Sequence, residues 1–350
     1  VPAAYLTADE QEVTVEYNET AEVAFENIEK TGEIKVTKTT VGNINVSGIT
    51  FNLRGTSDSG RDIDIPAVTD ENGVAIFSEI PIGTYTIYED EKTVPTAYLV
   101  ADPQNVTVTY AETKEVPIEN KEKTGSITVH KTTEGQKNIE GIKFYLRGTS
   151  DSGRAIDIPA TTDKDGIAKF DGVPIGTYMV IEDEETVPYG YLVADEKEVK
   201  VEYAQTIDET ILNNEQTGTV KVHKKTADMT NVEGIRFILS GISDTGREIR
   251  IEATTDKDGL AKFEGVPVGT YTITEDGSTV PYGYLVADSK QVTVAYAQTV
   301  DTDMVNEKAP DTPNTGVTDN DSDGSKALCS VAIILAGAAI VMFSRKRKER

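Results

Sequence analysis

The stretch GEIKVTK, residues 32–38, places a lysine where the pattern of a half-buried strand calls for another apolar residue. Side chains alternate between the two faces of a strand, so Ile34, Val36 and Lys38 share one face. Because that face carries the apolar side chains, the alternation predicts that Lys38 points into the core.

The same stretch returns as GSITVHK, ending at Lys131, and as GTVKVHK, ending at Lys224. The period is 93 residues, the difference between 38 and 131 and between 131 and 224. Self-similarity at a fixed period is typical of tandem domains. We expect the end of a truncated repeat at 1–30, repeats at 31–123, 124–216 and 217–309, a linker at 310–326, a membrane-spanning run at 327–343 and a basic tail at 344–350.

Each repeat has the pattern of short strands separated by turns, with almost no helical periodicity. This spacing predicts an all-β, Ig-like sandwich of two antiparallel sheets. The predicted strands of the first repeat lie at 33–39, 48–54, 61–66, 74–78, 83–90, 97–101, 105–110 and 114–120.

Two further polar residues fall on inward positions. In YTIYE, residues 85–89, Glu89 shares the inward face with the tyrosine and the isoleucine, and near the end of the repeat Asn120 follows Ile118 on that face. Each repeat is therefore predicted to bury a lysine, a glutamate and an asparagine. The corresponding residues of the later repeats are Glu182 and Asn213, then Glu275 and Asn306.

Two interpretations of this buried set are open. It is either an ion pair with an amide hydrogen-bonded beside it, or a reactive group. Burial lowers the pKa of a lysine and raises that of a glutamate, which favours a neutral amine and a neutral acid. A neutral amine can attack the asparagine amide while the acid polarises the carbonyl and delivers a proton to the departing nitrogen. The recurrence of the set in every copy favours this second interpretation, an isopeptide bond.

The motifs G-x-I/V-x-V-x-K, then Y-x-I/V-x-E, then a closing Asn span residues 31–309. They resemble the collagen-adhesin B-type (Cna B) repeats and SpaA-type pilin domains of Gram-positive surface proteins. The resemblance implies a prealbumin-like fold and an autocatalytic Lys–Asn isopeptide bond in each repeat. It implies isopeptide residues at Lys38 and Asn120, Lys131 and Asn213, and Lys224 and Asn306, with catalytic acids at Glu89, Glu182 and Glu275.

The net charge of −26 argues against a nucleic-acid partner, which demands basic patches. Metal sites are not predicted, because His130 and His223 each precede an inward lysine and should face solvent. Aspartates in turns such as TSDSG (56–60) and DENG (70–73) are ordinary turn formers. The EF-hand-like run that begins at Asp319 has a serine at its twelfth position, so calcium is not expected there. No cofactor is predicted, and the lone Cys329 excludes an intramolecular disulfide.

The C-terminal end carries an apolar run at 327–343 followed by SRKRKER. A run of this length with a basic flank predicts a membrane-spanning helix with the repeats outside the cell. The stretch before it resembles an LPxTG sortase signal, which implies sortase cleavage after Thr315, only transient membrane insertion, and covalent attachment of Thr315 to peptidoglycan at the cell surface. The residues that carry this resemblance are Thr312, Pro313, Asn314, Thr315 and Gly316.

These features predict a structural stalk rather than an enzyme, since the sequence lacks a nucleophile paired with a histidine base, a metal cluster and a phosphate loop. We expect the stalk to display an adhesive or otherwise functional N-terminal region, absent from this sequence, for which host matrix proteins are candidate partners. Alternatively, the repeats themselves bind host ligands, or the chain is a pilus subunit. In the truncated repeat, Asn27 corresponds to Asn120 but has no lysine partner, so residues 1–30 should be loosely packed without a bond.

Overall fold

A computed structural model describes residues 1–137, 139–230 and 232–310. Over these residues the regular structure is β-strand, apart from single-turn 3₁₀ helices at Glu184–Thr186 and Gly277–Thr279. The first repeat contains β1 (Thr31–Thr40), β2 (Thr50–Thr56), β3 (Asp62–Val68), β4 (Val74–Pro81), β5 (Gly83–Glu89), β6 (Gln104–Val108) and β7 (Thr113–Asn120). The second contains β8 (Thr124–Thr133), β9 (Lys143–Ser150), β10 (Ala155–Thr161), β11 (Ile167–Pro174), β12 (Gly176–Glu182), β13 (Lys197–Val201) and β14 (Thr206–Asn213). The third contains β15 (Thr217–Thr226), β16 (Arg236–Ser243), β17 (Glu248–Thr254), β18 (Leu260–Pro267), β19 (Gly269–Glu275), β20 (Lys290–Val294) and β21 (Thr299–Asn306).

Each repeat is a sandwich of a three-stranded and a four-stranded sheet. In the first repeat the strand orders are β4-β1-β7 and β3-β2-β5-β6, and the other two repeats have the same orders with their own strands. The apolar core lies between the sheets, with Phe51 and Leu53 of one facing Ile34 and Val36 of the other. The prediction of tandem all-β sandwich repeats is therefore confirmed.

The alternation that was predicted for the first strand is present. Ile34 and Val36 are fully buried, and Lys38 is only 1% exposed. The equivalent lysines, Lys131 and Lys224, are buried to nearly the same degree. The strand pattern alone therefore placed three charged side chains correctly in the core.

The prediction that both sheets are antiparallel is wrong for the first and last strands. β1 and β7 run parallel, with Lys38 opposite Ile118 and Thr40 opposite Asn120. The reason is topological: the chain crosses from β6 in one sheet to β7 in the other and enters beside β1 in the same direction.

The predicted strand at 97–101 is also wrong, because the structure has only an isolated bridge there, between Tyr98 and Glu122. Two backbone groups of this segment form hydrogen bonds with side chains instead. The Leu99 carbonyl accepts a hydrogen bond from the Asn120 side chain, and the Ala101 amide donates one to the Glu89 carboxylate. Because side chains take these two backbone groups, the segment pairs only locally, at the bridge of Tyr98.

The acidic turns are held by their first aspartate. In DENG the Asp70 carboxylate accepts hydrogen bonds from the amides of Asn72 and Val74, each at 2.9 Å. Asp163 and Asp256 bind the corresponding amides in the later repeats. This geometry supports the interpretation of these residues as turn formers.

Residues 1–30 contain an isolated bridge between Tyr5 and Glu29, and most of their side chains, including Asn27, are exposed. This agrees with the loose packing that was expected. Within the described ranges, no helix has the length and apolar character needed to cross a membrane. The predicted spanning run at 327–343 and the motif at 312–316 lie outside those ranges.

The turn aspartates give a test by mutation. Replacing the first aspartate of all three turns by alanine is expected to lower the melting temperature, because each turn loses the acceptor of two amides. Backbone hydrogen bonds hold the pKa of Asp70 and Asp163 below the ordinary value of an aspartate. The two carboxylates therefore stabilise the folded state fully at a pH above the ordinary pKa, and this stabilisation is lost as the pH falls through the lowered pKa. The difference from the parent chain should therefore shrink in acid. The control replaces the neighbouring exposed residues Glu71, Lys164 and Lys257 by alanine, and an equal effect in this control would contradict the assignment.

Candidate functional site

The predicted lysine, glutamate and asparagine of each repeat come from three different strands. In the first repeat Lys38 lies on β1 and Asn120 on the adjacent parallel β7, two positions apart in register and on the same buried face. Glu89 ends β5, which belongs to the opposite sheet. The sandwich therefore brings the three side chains together across its core.

The lysine faces one oxygen of the carboxylate in every repeat. The distance from Nζ to Oε1 is 3.5 Å for Lys38 and Glu89, 3.6 Å for Lys131 and Glu182, and 2.9 Å for Lys224 and Glu275. All six side chains are at most 1% exposed. The pairs are thus removed from solvent.

The asparagine contacts the other carboxylate oxygen. Asn120 donates from Nδ2 to Glu89 Oε2 at 2.6 Å and to the Leu99 carbonyl at 2.7 Å. The Ala101 amide donates to the same Oε2 at 2.7 Å. Equivalent contacts, with the carbonyls of Leu192 and Leu285 and the amides of Ala194 and Ala287, surround Asn213 and Asn306.

These backbone partners were not predicted from the sequence. A carbonyl or an amide is present at every position, so no residue type indicates which ones turn toward the site. Their effect is to fix the amide: Nδ2 has two acceptors, so the asparagine carbonyl oxygen must point the other way.

Burial sets the protonation of the lysines. It lowers the pKa of Lys38 and Lys224 and brings that of Lys131 to about 8, against the opposing attraction of the nearby carboxylate. The ammonium of Lys38 also donates to the Thr39 and Ile118 carbonyls, at 3.0 and 3.3 Å. The charged form of the lysine is therefore less favoured than it is in water.

Two polar atoms of each site are buried without a hydrogen-bond partner among the described residues. They are the Oε1 of the glutamate and the Oδ1 of the asparagine, in all three repeats. The burial of Oε1 is offset only by the ion pair with the lysine, and Oδ1 has no polar contact among the described residues that offsets its burial. Buried polar atoms in native structures are normally hydrogen-bonded, so a repeated exception calls for a chemical explanation.

The two histidines lie on the outer face, as predicted. His130 and His223 are half-exposed and contact Asp208 and Asp301 on the neighbouring strand. Within the described residues, no group of three histidine, cysteine, aspartate or glutamate side chains is arranged to hold a metal.

The SpaA prealbumin-like fold domain matches this chain three times, over residues 32–122, 125–216 and 218–308. The chain belongs to the SpaA family. The resemblance seen in the sequence is thereby confirmed, and the three sandwiches are SpaA domains in tandem. No curated protein matches the sequence significantly.

Several solved structures are similar to this chain. The Bacillus anthracis TIE protein matches with 21% identity and a TM-score of 0.58, over 80% of this chain and 51% of that chain. BcpA, the major pilin subunit of Bacillus cereus, matches with 17% identity and a TM-score of 0.39, over 80% of this chain and 100% of that chain. The chain spans about half the length of the TIE protein structure.

Proposed function

We propose that each SpaA domain of this chain closes an isopeptide bond between its lysine and its asparagine, without an external enzyme. The observation that carries the proposal is the unpartnered asparagine carbonyl oxygen, buried beside an ion pair in all three repeats. A buried ion pair with a purely structural role adds little to the stability of the fold unless the polar atoms around it all have hydrogen-bond partners. A site poised for reaction needs the carbonyl carbon accessible to the amine instead.

The reaction begins with a proton transfer inside the pair. When the ammonium gives its proton to the carboxylate, the amine and the acid are both neutral and the total charge of the pair is unchanged. Burial lowers the pKa of the lysine in each repeat, which favours release of this proton. A free amine then faces an amide held in place by two hydrogen bonds, which supplies the proximity that the reaction requires.

Bond formation balances without any other reactant. The lysine Nζ forms a bond to the asparagine Cγ, and the bond from Cγ to Nδ2 breaks. The glutamic acid gives its proton to the departing nitrogen and takes one from the attacking nitrogen, so ammonia leaves and the acid is regenerated. The carboxyl oxygen lies at Nδ2 rather than at the carbonyl oxygen, which supports the role of proton donor to the leaving group.

Mass spectrometry of the intact chain tests this chemistry. We expect the chain to be lighter than its sequence by three molecules of ammonia, one for each repeat. Glu182→Ala should restore one of them, because the second repeat loses its proton shuttle, and the peptide that links Lys131 to Asn213 should disappear from a digest. Glu184→Ala, an exposed neighbour, is the matched control. A full sequence mass in the parent chain would refute the proposal.

The proposed bond joins the first strand of a domain to its last strand. Tension that enters at the start of β1 would pass from Lys38 to Asn120 and leave by the end of β7, so the intervening strands carry no load. Closing a segment of roughly 80 residues also stabilises the fold by about 4 kcal/mol, by analogy with disulfides. These properties suit the shaft of a pilus or of another extracellular surface protein.

Single-molecule pulling on the chain tests the shaft. The parent repeats are expected not to extend before the tether detaches, whereas Glu182→Ala should release one segment of roughly 80 residues, about 280 Å of contour length. Glu184→Ala again serves as the control. Extension of the parent repeats at low force would exclude the shaft, and saturable binding of a matrix protein by the same chain would favour the adhesin alternative.

We further propose that the chain is anchored to the cell wall through Thr315. The support is the sequence TPNTG (312–316), followed by the apolar run and the basic end. Purified walls from cells that express the chain should yield, after digestion, a peptide ending at Thr315 and joined to a peptidoglycan fragment. Thr315→Ala should move the chain from the wall to the membrane fraction, and equal wall attachment of this variant would refute the anchor.

A further inference from the structure

Three residues connect the first repeat to the second, Lys121 to Lys123 between β7 and β8. The side chain of the middle residue, Glu122, reaches into the second repeat. It accepts a hydrogen bond from the Ser152 hydroxyl and two from the Arg154 guanidinium, the closer at 2.8 Å. Ser152 and Arg154 lie in the turn between β9 and β10, so they form a socket for the carboxylate of the preceding linker.

The same contact occurs at the next junction. Glu215 accepts hydrogen bonds from the Thr245 hydroxyl and the Arg247 guanidinium of the third repeat. The carboxylates of Glu122 and Glu215 are buried, at 5% and 0% exposure of their side chains. A buried carboxylate that is bound by charge-assisted hydrogen bonds is costly to leave unpaired.

The first repeat has its own socket, which is occupied in the same way. Ser59 donates to Glu29, and Arg61 pairs with the same carboxylate at 3.3 Å. Every repeat thus receives a glutamate from the segment before it.

The backbone of the linker is fixed on both sides. On the side of the preceding repeat, the Leu99 amide donates to the Lys121 carbonyl at 2.9 Å, and the Lys123 amide donates to the Ala97 carbonyl at 2.8 Å. The amide of Ile175, in the second repeat, donates to the Lys123 carbonyl at 3.0 Å. Asn45 of the first repeat also donates to the Ser152 carbonyl at 3.0 Å. A linker held in this way does not behave as a free tether.

One methyl group distinguishes the two junctions. Where Gly190 meets the third repeat, an added Cβ would lie 2.8 Å from the Thr245 Cγ2. At the equivalent positions of the first junction the residues are Ala97 and Ser152. The methyl group therefore belongs to Ala97 of the preceding repeat at the first junction, and to Thr245 of the socket at the second. The two pairs have complementary sizes.

We propose that the socket and the linker glutamate form a docking interface that holds consecutive repeats in a single orientation. The occupant of each socket is the acidic linker of the repeat before it in the same chain. This inference goes beyond the shaft proposal, because it concerns the joints between domains and does not depend on isopeptide bonds. The array is stiff because each joint buries the linker carboxylate against a partly exposed arginine and is enclosed by backbone hydrogen bonds.

The segment that follows the third repeat has no carboxylate at the corresponding position. Lys308 stands where Glu122 and Glu215 stand in the earlier repeats, and it pairs with Asp228 of its own repeat at 3.5 Å. A lysine presented to a socket would place a second cation against the arginine. The interface therefore accepts a repeat that follows Glu122 or Glu215 and rejects one that follows Lys308.

Distance measurements between spin labels test the interface in the full chain, in detergent. Labels are placed at the exposed positions Lys114 and Lys164, after replacement of both by cysteine and of Cys329 by serine. The parent chain should give a single narrow distance distribution across the first junction. Glu122→Gln should lose the narrow peak and give a broad distribution, whereas Glu196→Gln, an exposed control in the second repeat, should not. A broad distribution in the parent, or a narrow one in Glu122→Gln, would overturn the proposal.

The complementary sizes of residues 97 and 152 allow a second test, with variants that change no charged residue. Ser152→Thr should shift or broaden the distribution, since its methyl meets Ala97, and Ala97→Gly in the same chain should restore the parent peak. An unchanged peak in Ser152→Thr would refute the size match. Circular dichroism checks that the repeats stay folded, and the mass of each variant shows separately whether the isopeptide bonds have formed, so failure of one proposal is distinguishable from failure of the other.

Discussion

The structure of each repeat depends on a lysine ammonium buried in an apolar core. Such a group needs an anionic partner and further acceptors, or its burial costs several kcal/mol. Glu89 supplies the anion from the opposite sheet, and the carbonyls of Thr39 and Ile118 supply the acceptors. The carboxylate in turn needs donors, which it finds in the Asn120 amide and the backbone at Ala101. The two sheets are thus held in register by polar contacts in the middle of an otherwise apolar interface.

Much of this arrangement was predictable from the sequence, because strand alternation is a local rule. The parity of Lys38, Glu89 and Asn120 with their apolar neighbours placed all three in the core, and the 93-residue period showed that the placement was systematic. The alternation does not give strand direction, which is why the parallel pairing of β1 with β7 was missed. Direction depends on how the chain crosses between sheets, and that is a property of the whole topology.

The junctions were missed for a similar reason. In the sequence, the linker that contains Glu122 has the pattern of a short acidic connection, and the stretch that contains Ser152 and Arg154 has the pattern of a turn. Both descriptions are correct locally. Their contact joins residues of different repeats, and no periodicity within one repeat encodes it. The predicted strand at 97–101 failed because side chains and the linker use its backbone groups.

One segment serves both the buried site and the joint. Leu99 and Ala101 contact the asparagine and the glutamate of the core, while Ala97 binds the linker to the next repeat. Each joint is therefore built from the end of one copy and the turn of the next, and its parts recur at the same offset. Insertion or removal of a whole copy by recombination between the repeats would recreate a joint of the same kind at the new boundary. The reach of the molecule can consequently change in steps of one domain during evolution, with no new contact surface to invent.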